Sequence, residues 1–130
     1  MYTKRPLQIV TATLGIVPVI TGLVQMMGIH DPLYAQLHLP ADATLDSNMR
    51  FLAGVWLGLG LAVLWLVPRI AEQTVLFRVL WLMIFVGGIG RLVSMAVVGT
   101  PLVPFMGLTV LEILGAPIFV YWQHRVVQNS

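Results

Sequence analysis

Arg91 and Glu112 are the residues of this chain whose types and placement invite chemistry. Each stands alone in a long apolar run, and between Arg78 and Arg125 no other Lys, Arg, Asp or Glu occurs. A charge at membrane depth costs from about 2.5 kcal/mol on insertion scales to 10 or more on an isolated helix, so such residues face the protein interior and pair with one another. Glu112 is therefore the expected partner of Arg91. The chemistry open to the couple is narrow. A guanidinium presents planar, paired donors that suit a carboxylate or a phosphate, and a carboxyl group at membrane depth can exchange a proton.

The composition supplies the membrane. Of 130 residues 58% are hydrophobic and 9% charged, and the mean hydropathy is +0.93, well outside the range of an ordinary soluble domain. The chain reads as one integral membrane domain covering 1–130. Its net charge of +2 is spread along the sequence, and without a basic stripe or patch no nucleic-acid partner is expected. There is no cysteine, which removes disulfide and thiolate chemistry. His30 and His38, with Asp31 and Asp42 nearby, fit no established ligand spacing, so they read as solvated loop residues and no metal is expected. Haem needs an axial ligand within a span, and none of the three histidines lies in an apolar core, so no cofactor is expected either. Glu112 has no second acid, serine–histidine pair or ligand set beside it, and the chain does not read as an enzyme.

Four apolar runs must position the pair, at about 7–27, 49–67, 75–98 and 103–122, each near the roughly 20 residues that cross a hydrocarbon core of about 30 Å. The first follows Lys4 and Arg5 but is longer than a signal-peptide core and lacks a small-residue cleavage site, so it reads as a retained span. Thr11, Gly15, Pro18, Gly22 and Gln25 recur at helical spacing, and that face should look inward; Pro18 should bend the helix. Gly28 is a plausible C-terminal cap. The residues up to Ser47 are too polar for lipid and form a loop, in which Asp31 and Pro32 should start a short interfacial helix with Leu33, Tyr34 and Leu37 as its apolar face.

Asp46, Ser47 or Asn48 should cap the second span. From Arg50, helical steps reach Gly54 and Gly58, a small-residue groove where another helix can approach. Packing within the monomer is the first reading of that groove, and a homodimer through Gly54 and Gly58 the second. Gly99, Thr100 and Pro101 end the third span. Short connections make neighbours antiparallel, so the fold class is an all-α antiparallel four-helix bundle in the membrane, with one extracytoplasmic loop carrying a short helix. Trp81, Tyr121 and Trp122 fall near span ends, where aromatic belts occur.

Lys4, Arg5, Arg69, Arg78 and Arg125 lie on one side of this arrangement, and Asp31, Asp42 and Asp46 on the other, which places both termini in the cytoplasm. Gln25 and Arg50 then stand near the outer face. Arg91 lies about 10 Å and Glu112 about 13 Å below the outer ends of their spans, at 1.5 Å per residue. Every span thus brings one polar group to the outer half, and Arg50 has no second carboxylate at membrane depth to pair with.

The stretches Asn48-Met49-Arg50-Phe51-Leu52-Ala53-Gly54-Val55-Trp56-Leu57-Gly58, Gly87-Gly88-Ile89-Gly90-Arg91-Leu92-Val93-Ser94 and Leu111-Glu112-Ile113-Leu114-Gly115 resemble a bacterial family of small four-span inner-membrane proteins known only as a domain of unknown function. The resemblance covers nearly the whole chain. It implies a four-helix inner-membrane fold in which Asn48, Arg50, Arg91 and Glu112 match the family's polar motif positions, and it brings no assigned reaction.

The function expected from these residues is binding of a lipid or amphiphilic molecule in an intramembrane pocket that opens to the outer side, in support of the envelope. Gln25, Asn48, Arg50, Arg91, Ser94 and Glu112 would hold the head group and apolar walls the tail. Two other readings compete. Arg91 and Glu112 could simply lock two helices, with Arg50 neutralised by Asp46 or by lipid phosphate, leaving a membrane scaffold. Alternatively Glu112 could serve a proton-coupled exporter of small molecules.

Overall fold

The computed structural model describes residues 3–130. Four long helices account for most of the chain: α1 (Lys4–Gln25), α2 (Ala43–Leu66), α3 (Thr74–Val97) and α4 (Val103–Gln128). No strand occurs among the described residues. The shortest of the four, α1, has 22 residues, about 33 Å at 1.5 Å per residue, enough to cross a hydrocarbon core. All four are long and apolar enough to cross a membrane. Their outward residues support that reading, since Val75 is 77% and Val97 78% exposed, positions where a water-facing helix would carry charge. The chain is a multi-pass, all-helical membrane protein.

The helices fall into two compact units. One is Gln8–Val67, holding most of α1 with α2; the other gathers Pro68–Ser130 with the described residues up to Leu7.

In the first unit α1 and α2 run antiparallel. The expected inward face of α1 is the buried one: Thr11, Gly15, Pro18 and Gly22 are buried and Gln25 is half-buried. A Cβ on Gly22 would stand 2.9 Å from the Leu57 backbone nitrogen, and one on Gly60 would stand 2.9 Å from that of Val19. The backbones therefore meet where glycine removes the side chain, which gains dispersion contacts that larger residues would prevent. Gly54 and Gly58 are not the residues of this seam. A Cβ on Gly54 would reach the Met26 sulfur at 3.9 Å, whereas Gly58 has open space beside it. Trp56 Nε1 donates to Thr21 Oγ1 at 2.8 Å, and Thr21 donates on to the Val17 carbonyl at 2.7 Å. An indole N–H in an apolar setting is thereby satisfied.

α2 begins at Ala43 rather than near Met49. Asp42 is its cap, accepting from the Leu45 N–H at 2.8 Å, while Asp46, expected as a capping residue, is engaged elsewhere. In the loop, Gly28 has φ +62, the left-handed conformation that glycine adopts freely after a helix end. The short helix expected at Pro32 is a 3-10 helix, Pro32–Leu37, whose cap Asp31 accepts from the Leu33 N–H at 3.0 Å. The expectation of a solvated Asp31 is corrected: it is 1% exposed, drawn in because its backbone also donates to Gly28 and accepts from Tyr34. His30, His38 and Asp42 are exposed.

In the second unit α3 and α4 are antiparallel neighbours. Trp81, expected in an interfacial belt, is buried instead, stacked on Phe119 with ring centroids 4.5 Å apart. Gly115 makes room for it, since a Cβ there would meet the indole at 3.0 Å. Gln123, fully buried, donates to the Ile70 carbonyl at 3.1 Å and to Thr74 Oγ1 at 2.9 Å, tying α4 to the start of α3. Gly99, at φ +125, follows the end of α3.

Candidate functional site

Arg91 lies in the last two turns of α3 and Glu112 in the first half of α4, and the approach of the two helices is set between them. At Gly88 an added Cβ would stand 2.9 Å from the Glu112 Cβ and 3.0 Å from the Ile113 Cδ1. Glycine there lets the carboxylate-bearing face of α4 lie directly on α3. Arg91 lies three residues beyond Gly88, just under a full helical turn, so its side chain reaches the same patch of α4.

The resulting contact is an ion pair. Arg91 Nε donates to Glu112 Oε2 at 2.9 Å and to Oε1 at 3.2 Å. Glu112 is the sunken member, with a side chain 9% exposed against 35% for Arg91. Phe105, a helical step or two before Glu112 on α4, places its ring 5.3 Å from the Arg91 Cζ, within the range where a cation is attracted to an aromatic face. Between them Thr109 is buried, its hydroxyl returned to the Phe105 carbonyl at 2.8 Å. Both hydrogen bonds from Arg91 leave through one nitrogen. Its terminal nitrogens, Nη1 and Nη2, carry four N–H donors and make no hydrogen bond among the described residues. This arrangement holds a guanidinium by its inner edge and presents its fork, the geometry that receives two oxygens of a phosphate or carboxylate.

The other arginine of the predicted set is spent on the loop. Arg50 Nε donates to Asp46 Oδ2 at 2.7 Å, its Nη1 to the Met26 carbonyl at 2.6 Å and its Nη2 to the Met27 carbonyl at 3.3 Å. The other oxygen of Asp46, Oδ1, accepts from the Ile29 N–H at 3.0 Å. A helix leaves its last carbonyls without partners and carries partial negative charge at that end, so a cation there satisfies both needs. Arg50 and Asp46 together close the end of α1. Gly28 is required beneath them, because a Cβ would run into the Asp46 carboxylate. Asp46 is thus the partner of Arg50, as the helix-lock reading expected, and the expectation of an Arg50 left over for a head group is corrected.

Gln25 is half-buried at the last position of α1, Asn48 is exposed on α2, and Ser94 is exposed on α3, three residues beyond Arg91. Arg91, Ser94 and Glu112 belong to one unit, and Gln25, Asn48 and Arg50 to the other. Sequence reasoning missed Gln123. Its signal was available: an amide near the end of an apolar helix, at a position where only a buried partner or water can satisfy it.

Residues 6–123 match the family model DUF4345, described as a domain of unknown function, and the chain belongs to that family. No curated protein and no solved structure matches it.

Proposed function

We propose that this family member binds the anionic head group of a lipid or other amphiphile at Arg91, within a bacterial inner membrane, and so supports the envelope. The observation that carries the reading is the one-nitrogen grip of Glu112 on Arg91, which leaves the guanidinium fork available. A pure helix lock would gain most by using the fork as well, since paired parallel hydrogen bonds are the strongest geometry open to these two groups. Arg91 also stands six residues before the end of α3, about 9 Å along the helix axis, close enough for its head to meet lipid head groups by extending along the helix. Ser94, a turn nearer that end, adds a hydroxyl on the same helix. Apolar side chains exposed on α3, Leu92 and Val93 among them, suit an acyl tail.

In this reading both termini are cytoplasmic, and the loop between α1 and α2 lies outside with the turn between α3 and α4. The skew of Lys and Arg toward the other connections supports it. Gln25, Asn48 and Arg50 then serve the outer end of α1 and α2, with Arg50 holding the loop. The test is native mass spectrometry on protein extracted in mild detergent. Wild type should retain phospholipid and Arg91→Gln should lose most of it; equal occupancy in the two would return the pair to a helix lock.

A further inference from the structure

We infer that the Arg91–Glu112 site takes up one proton with each phosphodiester head group it binds, so that Glu112 is a carboxylate in the empty site and a carboxylic acid in the filled one. The inference rests on the reading of Arg91 as a head-group receptor and adds what Glu112 does there. It follows from counting charge in the geometry. In the empty site one guanidinium and one carboxylate sum to zero, and their contact is 2.9 Å. A phosphodiester received on Nη1 and Nη2 brings a second negative charge to the same guanidinium. Two anions would then share one cation beside apolar helix surface, and like charges held that close do not both stay ionised.

The other charges of these helices, Arg78 on α3 and Arg125 on α4, stand 13 residues from Arg91 and from Glu112, about 20 Å along each helix at 1.5 Å per residue, too far to relieve the conflict. Arg91 is the charged group that faces Glu112 from α3; Gly88, which meets its Cβ, carries nothing. On α4 no titratable residue other than Glu112 occurs from Val103 to Val120. Thr109 has already committed its proton to the Phe105 carbonyl. Of the two anions the phosphodiester is much the weaker base, so Glu112 is the one that accepts the proton. The balance is simple: the head group arrives as an anion, one proton comes from water, and the carboxylate becomes a carboxyl group. The filled site again sums to zero. One oxygen of the acid still accepts from Arg91 Nε, and the new O–H can donate to a phosphate oxygen. The ligand class is thus a permanently charged phosphodiester such as the head of an anionic phospholipid.

The experiment is calorimetric titration of the full chain in neutral detergent with short-chain phosphatidylglycerol, whose charge is constant over about pH 5 to 8, in buffers of different ionisation enthalpy. Wild type should take up close to one proton per lipid bound, and its affinity should weaken by about tenfold per pH unit across the range in which that uptake occurs. Glu112→Gln keeps the shape and an oxygen for Nε; it should take up none and bind equally well at both ends of the range. Arg91-dependent binding with no proton uptake in wild type would overturn the inference while leaving the proposed function intact, and uptake that persisted in Glu112→Gln would do the same. Absence of phosphatidylglycerol binding, or binding unchanged in Arg91→Gln, would remove the proposed function and this inference together.

Discussion

Glu112 accepts two hydrogen bonds from Arg91, and both come from a single nitrogen, Nε, at 2.9 and 3.2 Å. The carboxylate is the buried member and the arginine the partly exposed one, so each depends on the other to a different degree. Removing Arg91 strands an anion among apolar groups, whereas removing Glu112 leaves a cation that can still extend toward water.

Arg91→Ala should therefore destabilise the fold by about 3 kcal/mol and Glu112→Ala by less, with the double variant recovering part of the loss. Denaturant titration followed by tryptophan fluorescence measures all three. Strictly additive losses would show that the two side chains do not act as partners.

The glycines around the pair divide by what surrounds them. Gly88→Ala puts a Cβ 2.9 Å from the Glu112 Cβ and should cost about 1 to 3 kcal/mol by forcing α3 and α4 apart. Gly87→Ala and Gly90→Ala, with open space beside them, should be neutral or stabilising by up to about 1 kcal/mol through the entropy of the unfolded chain. Thermal midpoints in one detergent give the comparison, and an equal loss at all three positions would contradict the packing described.

Arg50 and Asp46 should behave as a loop fastening. Asp46→Ala removes the acceptor of the Ile29 N–H, and Arg50→Gln removes the donors to the Met26 and Met27 carbonyls. Hydrogen exchange should accelerate at Ile29 in Asp46→Ala and across the following turn in both variants, with a stability loss of about 1 kcal/mol. Bound phospholipid should be unchanged in Arg50→Gln. A loss of lipid matching that of Arg91→Gln would instead assign Arg50 to the head-group site.

Gln123 offers a measurement at the other end of α4. Gln123→Leu fills the same space but leaves the Ile70 carbonyl without its donor, and should cost about 1 to 3 kcal/mol. Thr74→Ala, which removes one of the two acceptors, should cost less. Faster exchange confined to the connection between α2 and α3 would locate the effect.

Orientation is open to reporter fusion. Alkaline phosphatase attached after Ser130 should be inactive and attached within 38–42 active, because the enzyme requires an extracytoplasmic site. The reverse pattern would invert the topology drawn from the distribution of Lys and Arg.

The sequence by itself determined four membrane-length helices, the inward face of α1 and the pairing of Arg91 with Glu112. Hydropathy is a sum over residues, helical spacing is a local property, and two isolated charges in apolar runs have few other partners, so none of these needs the fold to be known. Tertiary structure decided which glycines lie at a seam. Gly15, Gly22 and Gly60 meet the opposite backbone or its side chains while Gly58 stands open, because close approach depends on the register of two helices. It decided that Asp42 starts α2 and frees Asp46 for Arg50, since both carboxylates are competent caps and only the fold of the loop toward Ile29 selects between them. It buried Asp31, Trp81 and Gln123, whose polar atoms or aromatic rings would equally suit an interface. Above all it decided that Glu112 holds Arg91 through Nε alone. Which edge of a guanidinium meets a carboxylate depends on the angle at which two helices face each other, and that angle has no signature in the residues that compose them.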